Sequence, residues 1–235
     1  MYPLFDVRVV TPRLELRGAT DDLLERLSPA VRGGKADADP APFDDPMSLY
    51  EHDPDVRVRK WLQAIWRMRG SIEPELWRLY FVVMLEGEPI GMQDLIGSQF
   101  PTFGTVFSFS WLSSDVRQRG LGTEMRAAVL HLAFSGLNAK EAHSEAFFDN
   151  DGSNRVSERL GYQPNGITWA TRRGQPAQLH RWRLTHDDWQ RQRRDDIELH
   201  GVERCRGTLG IQPVAAAQPC ESEPVMTIPP GRSRA

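Results

Sequence analysis

Leu112-Ser113-Ser114-Asp115-Val116-Arg117-Gln118-Arg119-Gly120-Leu121-Gly122-Thr123 joins a strand-like run to a helix-like run through a basic turn with two glycines. Upstream, Val106 to Leu112 alternates with period two, Phe107, Phe109 and Trp111 on one face and Ser108 and Ser110 on the other, the pattern of a strand. Downstream the period becomes helical: Leu121, Met125, Ala128, Val129 and Leu132 share a side, and Gly136 falls where a helix would stop. Such a turn presents the backbone N–H groups left free at a helix start to an anion, and the helix dipole favours the same charge. Glycine at 120 and 122 permits positive φ and clears the anion's path, while Arg117 and Arg119 add positive charge. The stretch reads as a pyrophosphate cradle; the plain alternative is a helix-starting turn with two solvent-facing arginines.

Other anion-binding patterns fit less well. No Gly-x-Gly-x-x-Gly follows an early strand, and no Gly-Lys-Ser/Thr closes a P-loop. Strand, Arg-x-x-Gly-x-Gly and helix together resemble the signature of the GNAT superfamily of acyl-CoA-dependent N-acyltransferases, with Arg117, Gly120 and Gly122 on its defining positions. The resemblance covers roughly residues 10 to 190. Val10-Thr11-Pro12-Arg13-Leu14-Glu15-Leu16-Arg17 is similar to the opening strand of the branch that includes bacterial ribosomal-protein N-terminal acetyltransferases (RimJ/RimL-like). Asn150 to Tyr162 resembles that branch's Asn-x-x-Ser-x-Arg-Val helix ending in Leu-Gly-aromatic.

Composition suits a soluble, enzyme-sized domain. The chain has 235 residues, 40% hydrophobic and 26% charged, enough to bury a sizeable core. No apolar run approaches a membrane span, and Met1 to Asp6 lacks the apolar core of a signal peptide, so a cytoplasmic location is expected. Cys205 and Cys220 alone give neither a disulfide framework nor a cysteine-rich metal site, and no metal is expected. The net charge of −3 argues against nucleic-acid binding; Arg191-Gln192-Arg193-Arg194 is followed at once by Asp195 and Asp196 and reads as a solvated helix surface.

The pattern predicts a strand near Val9 to Gly18, a helix from Thr20 to Arg32 with Thr20 as N-cap, an irregular acidic loop over Gly33 to Pro54, and a helix at Asp55 to Arg69. Strands follow at Trp77 to Leu85 and Pro89 to Ser98 around Glu86-Gly87-Glu88, then at Glu141 to Phe148, with a last hairpin at Ile167 to Arg173 and Gln178 to Thr185. Two regions are expected: a domain over 1–204, and a proline-rich tail over 205–235 without packed elements, where Pro213, Pro219, Pro224, Pro229 and Pro230 recur. The tryptophans at 61, 66, 77, 111, 169 and 182 fall in helix or strand patterns where burial is the simpler account.

The resemblance implies an α+β fold with a mixed, mostly antiparallel sheet flanked by helices, its fourth and fifth strands (Phe107 to Leu112 and Glu141 to Phe148) splayed apart. It implies acetyl-CoA, or another acyl-CoA such as succinyl-CoA, as donor, and a primary amine as acceptor, either a protein N-terminus or a small molecule. Arg117, Gln118, Arg119, Gly120, Leu121, Gly122 and Thr123 would bind the pyrophosphate, and Asn150 and Ser153 the pantetheine arm or their own helix start. Leu112 would give its N–H to the oxyanion. Glu145 is the first candidate base, His143 the second and Asp94 the third; pairing of Glu145 with an arginine is the structural alternative. The thiol-protonating tyrosine of many relatives is replaced here by Ser157, a poor proton source. A non-catalytic acyl-CoA sensor and a homodimer are both compatible with the sequence.

Overall fold

The computed structural model describes residues 2–44 and 47–212. The chain runs β1 (Arg8–Val10), β2 (Leu14–Gly18), α1 (Asp21–Arg32), α2 (Pro54–Gly70), β3 (Leu76–Leu85), β4 (Glu88–Ser98), α3 (Phe100–Phe103), β5 (Thr105–Leu112), α4 (Leu121–His131), β6 (Glu141–Phe147), α5 (Asp151–Arg159), β7 (Gln163–Arg172), β8 (Gln175–Thr185), α6 (His186–Gln190), β9 (Glu198–His200) and α7 (Val202–Arg206). Among the described residues the strands form one nine-stranded sheet in the order β7-β8-β6-β5-β4-β3-β2-β1-β9. Every neighbouring pair is antiparallel except β5 with β6. The expected α+β architecture is therefore present, and the family's fourth and fifth strands are β5 and β6.

Two apolar layers cover the two faces. Leu16, Phe81, Val83, Leu95 and Val106 pack under Met125, Ala128, Val129 and Leu132 of the α4 region. Tyr80, Val82, Met92 and Trp111 pack under Leu24 and Leu27 of α1 and Trp61 and Ile65 of α2. The helices start where the sequence puts caps: Thr20 Oγ1 accepts from Leu23 N at 3.4 Å, and Asp53 Oδ1 accepts from Asp55 N and Val56 N at 2.9 Å. Gly97 is needed for packing, because a Cβ there would stand 2.3 Å from the Trp77 ring.

Several expectations change. The strand near Val9 to Gly18 is a hairpin, β1 with β2, because Thr11 N bonds Leu14 O and Leu14 N bonds Thr11 Oγ1, both at 2.9 Å, around Pro12. Arg191 to Arg194 forms a turn after α6, not a helix surface, and Arg191, Arg193 and Arg194 pair with Asp188, Asp195 and Asp196. Packed structure continues past 204: α7 buries Val202 and Cys205, and Leu209 follows them into the same core. The tail prediction for 213–235, with Cys220, lies outside the described residues. Trp61, Trp77, Trp111 and Trp182 are buried, but Trp66 and Trp169 are 47% and 65% exposed.

Candidate acyl-CoA site

β5 and β6 hold together for three rungs, Thr105↔Glu141, Val106↔Ala142 and Phe107↔His143, after which β6 continues beside β8 alone. The sheet opens at that point. Backbone direction alternates along a strand, and Ser113 N donates to Ile90 O on the β4 side at 2.8 Å. Leu112 and Ser110 consequently turn their N–H groups the other way, into the opening. The side chains alternate too: Phe107, Phe109 and Trp111 lie on the α1/α2 side with His143 and Glu145, while Ser108, Ser110 and Ser144 lie on the α4 side.

At the mouth of the opening the chain makes the cradle. Gln118 and Gly120 take φ of 61° and 77°, the second allowed freely only to glycine, and α4 begins at Leu121. Among the described residues, no hydrogen-bond acceptor is found for the backbone N–H groups of Gln118 to Thr123. Arg119 is exposed, and Leu121 buries its side chain, so it offers only its N–H.

Arg117 does something else. Its Nε donates to Leu112 O at 3.0 Å, and its Nη atoms donate to the carbonyls of Lys35, Ala36 and Asp37 at 2.9–3.0 Å. Four of that guanidinium's five N–H groups are taken by carbonyls, and it clamps the loop after α1 onto the end of β5. Arg13 stands closest to the turn, with its Nε and Nη2 both paired with Glu124 Oε2 at 2.6 Å. Its Nη1 donates to Arg119 O at 3.0 Å, and its Nη2 lies 3.5 Å from where a Cβ on Gly120 would be.

Asn150 caps α5 by accepting from Ser153 N at 3.1 Å and donates to Pro42 O at 2.9 Å, so it also ties the acidic loop down. The hairpin tip of β7 and β8 meets the same loop: Arg173 pairs with Asp37 at 3.0 Å, and Thr171 donates to Asp44 at 2.5 Å. The loop is thereby fixed across the α1/α2 side of the opening, with Phe43 edge-on to Phe109 at 5.0 Å.

The candidate bases differ in their surroundings. Glu145 is partly exposed and pairs with Arg181 at 3.3 Å, not with Arg155, which pairs with Asp151. His143 stacks on Phe107 at 5.2 Å and lies 3.4 Å from Glu141; burial pushes its pKa below the usual value, against the opposing pull of Glu141. Asp94 is fully buried, bound through Oδ2 by Arg78 at 2.6 and 2.9 Å, with Oδ1 unpartnered. Burial raises its pKa to about 6 despite Arg78. Ser157 is fully buried, and its Oγ has no partner.

A strand edge opened beside a free N–H cradle suits an extended thioester carrier with a pyrophosphate. The acetyltransferase (GNAT) domain family matches residues 13–163, more than half of the chain. This chain belongs to the GNAT acetyltransferase family. Mycobacterium smegmatis RimJ, solved in complex with a CoA disulfide, superposes with a TM-score of 0.65 at 16% identity, covering 87% of this chain and 95% of that one. RimL, a ribosomal L7/L12 α-N-protein acetyltransferase solved with coenzyme A, gives 0.61 at 18% identity over 76% and 97% of the two chains. A GCN5-related N-acetyltransferase from Brucella melitensis gives 0.58 at 17% identity over 78% and 80%.

Within this GNAT domain three residues escaped the sequence reading. Arg13 sits in a segment whose pattern shows only a strand, Ser110 shows only the face it occupies, and Arg126 lies inside α4. Arg126 carried a visible signal, a charged residue in an otherwise apolar run, Met125 to Leu130, all of it buried. A cleft of about 500 Å³ lined by Phe134, Lys140 and His186 lies at the other end of α4 and touches none of these residues. Among the described residues, no His, Cys, Asp and Glu cluster could hold a metal, and no helix is long and apolar enough to cross a membrane.

Proposed function

We propose that this GNAT domain is an acyl-CoA-dependent N-acyltransferase, with acetyl-CoA as the donor its family implies, and that a primary amine attacks the thioester directly in a ternary complex. The carrying observation is the unpartnered N–H row from Gln118 to Thr123 leading into the opening between β5 and β6. Those groups suit the pyrophosphate, with the exposed Arg119 beside them, and the edge of Ser110 and Leu112 suits the pantetheine amides. The N–H of Leu112 or Ser110 suits the oxyanion that forms as the nitrogen adds.

The attacking nitrogen must lose its proton. An α-amino group near pKa 8 needs less help than a lysine near 10.4, which favours a protein N-terminus, the acceptor class named for RimL. His143 suits the base better than Glu145: it is held neutral by burial at the end of the paired segment, whereas Glu145 is committed to Arg181. Ser157 can donate a hydrogen bond to the departing sulfur but is no proton source.

The test is calorimetry with CoA and acetyl-CoA, followed by thiol release against N-terminal peptides and small amines. Binding with amine-dependent thiol release supports the reading. Binding with no release from any amine points to an acyl-CoA sensor, and absence of binding removes the site altogether.

A further inference from the structure

Arg126 projects from α4 into the sheet opening and is 5% exposed. Its Nη1 donates to Ser144 Oγ on β6 at 3.0 Å, and its Nη2 reaches Ser110 Oγ on β5 at 3.5 Å. Both serines stand just past the last paired rung, Phe107↔His143, so the guanidinium bridges the two strands where they part. Its Nε has no acceptor, and no carboxylate among the described residues forms an ion pair with it.

The surroundings are equally short of partners. Ser108 Oγ and Tyr162 OH are buried and form no hydrogen bond of proper geometry. Tyr162 OH stands within hydrogen-bonding reach of Arg126 and Ser108, and the charge of Arg126 and those contacts oppose the upward push that burial gives its pKa. A buried cation is costly unless a counter-charge meets it, and buried hydroxyls are costly unless bonded. Here the cation and two hydroxyls, with no polar neighbours among the described residues but one another and the serines of β5 and β6, line one side of the opening next to Ser110, whose N–H faces into it.

We propose that this corner binds an anion carried by the acyl group: the preferred donor is a dicarboxylic acyl-CoA, of the succinyl type, whose distal carboxylate pairs with Arg126. The proposal rests on the acyl-CoA reading above and refines its donor. In transfer, the amine nitrogen forms the new C–N bond, the C–S bond breaks, the nitrogen's proton goes to the base and the thiolate leaves. The distal carboxylate is unchanged. Arg126 is a specificity residue, selecting the donor by its tail.

Equilibrium binding of the full chain tests this without knowledge of the acceptor, using CoA, succinyl-CoA and butyryl-CoA, the last matching succinyl in chain length without its charge. The expected result is succinyl-CoA binding at least tenfold tighter than butyryl-CoA. Arg126→Met should abolish or reverse that preference while leaving CoA affinity unchanged, and Arg126→Lys should keep part of it. Equal affinities for the two acyl donors in the wild type overturn the proposal even if neither variant folds. So does an Arg126→Met variant that weakens CoA, butyryl-CoA and succinyl-CoA alike, since that marks a bridge between strands and no more. Failure of CoA itself to bind the wild type removes the acyl-CoA reading, whereas CoA binding with no succinyl preference removes this proposal alone.

Discussion

Arg13 Nε donates to Glu124 Oε2 across 2.6 Å, joining the β1–β2 turn to the first turn of the helix that carries the cradle. Thr11 Oγ1 and Arg13 N donate to Oε1 of the same carboxylate at 2.7 and 3.0 Å. Burial resists ionisation of Glu124, but the bonds from Thr11 and Arg13 outweigh it and hold its pKa below the usual 4.5. A depressed folded pKa adds stability above the unfolded value that is lost as pH falls through the folded one. Glu124→Gln should cost about 2 kcal/mol at pH 7 and flatten the acid limb of stability below about pH 4.5. Urea melts from pH 3 to 7 check both; an unchanged acid limb would place the linkage elsewhere.

Gly120 is the cradle position that side chains tolerate least. A Cβ would find room, its nearest neighbour being Arg13 Nη2 at 3.5 Å, but φ of 77° strains any other residue. Gly120→Ala should cost about 1 kcal/mol of stability. Gly120→Trp should weaken CoA binding by more than tenfold while leaving the circular dichroism spectrum intact. Unchanged CoA affinity in the tryptophan variant would remove the cradle assignment.

Arg117 separates clamp from cradle. Because its guanidinium is spent on four backbone carbonyls, Arg117→Met should loosen the loop from Lys35 to Asp37 and raise amide exchange and proteolysis there. The measurement is hydrogen exchange followed by peptide mass spectrometry. CoA affinity should fall less than in Gly120→Trp; a larger loss would return Arg117 to the anion site.

Asp94 gives the opposite pH sign to Glu124. Its folded pKa, about 6 against 3.8, means that its favourable contribution is complete below about pH 4 and is lost as pH rises through about 6. The full change is about 3 kcal/mol. Asp94→Asn, whatever its constant offset from unpairing Arg78, should lack this decline between pH 4 and 6, which melting at intervals across that range will show.

His143 should set the acid limb of turnover. Burial lowers its pKa from 6.5, so the neutral form needed to accept a proton dominates at pH 7, and kcat/KM should fall only as pH drops through that lowered value. His143→Gln should remove the limb and lower kcat by 10²–10⁴. Persistence of the limb in that variant, with its loss in Glu145→Gln, would move the base to Glu145.

Local signals carried the element reading a long way. The period-two run before Leu112, the period-3.6 run after Gly120, and the caps Thr20 and Asn150 are written in near neighbours, and the structure keeps each of them. The β1–β2 hairpin was hidden because Thr11-Pro12-Arg13 makes so short a turn that the apolar alternation runs on across it. The continuation past residue 204 was hidden because Cys205 and Leu209 find their apolar partners in distant parts of the chain.

The sequence by itself determined the family, the strand–turn–helix around Gly120 and most of the central elements, because each rests on backbone geometry set by adjacent residues: a glycine that allows positive φ, a helix start with free N–H groups, and side chains alternating on a strand. Only the tertiary structure decided what the charged side chains do. Arg117 turned from the anion to the loop, Arg13 crossed from the first hairpin to the cradle, Glu145 met Arg181, and Arg126 came to lie where β5 and β6 part. A long cation can reach several partners, and which one it meets depends on segments as far as 111 residues away that no local pattern encodes.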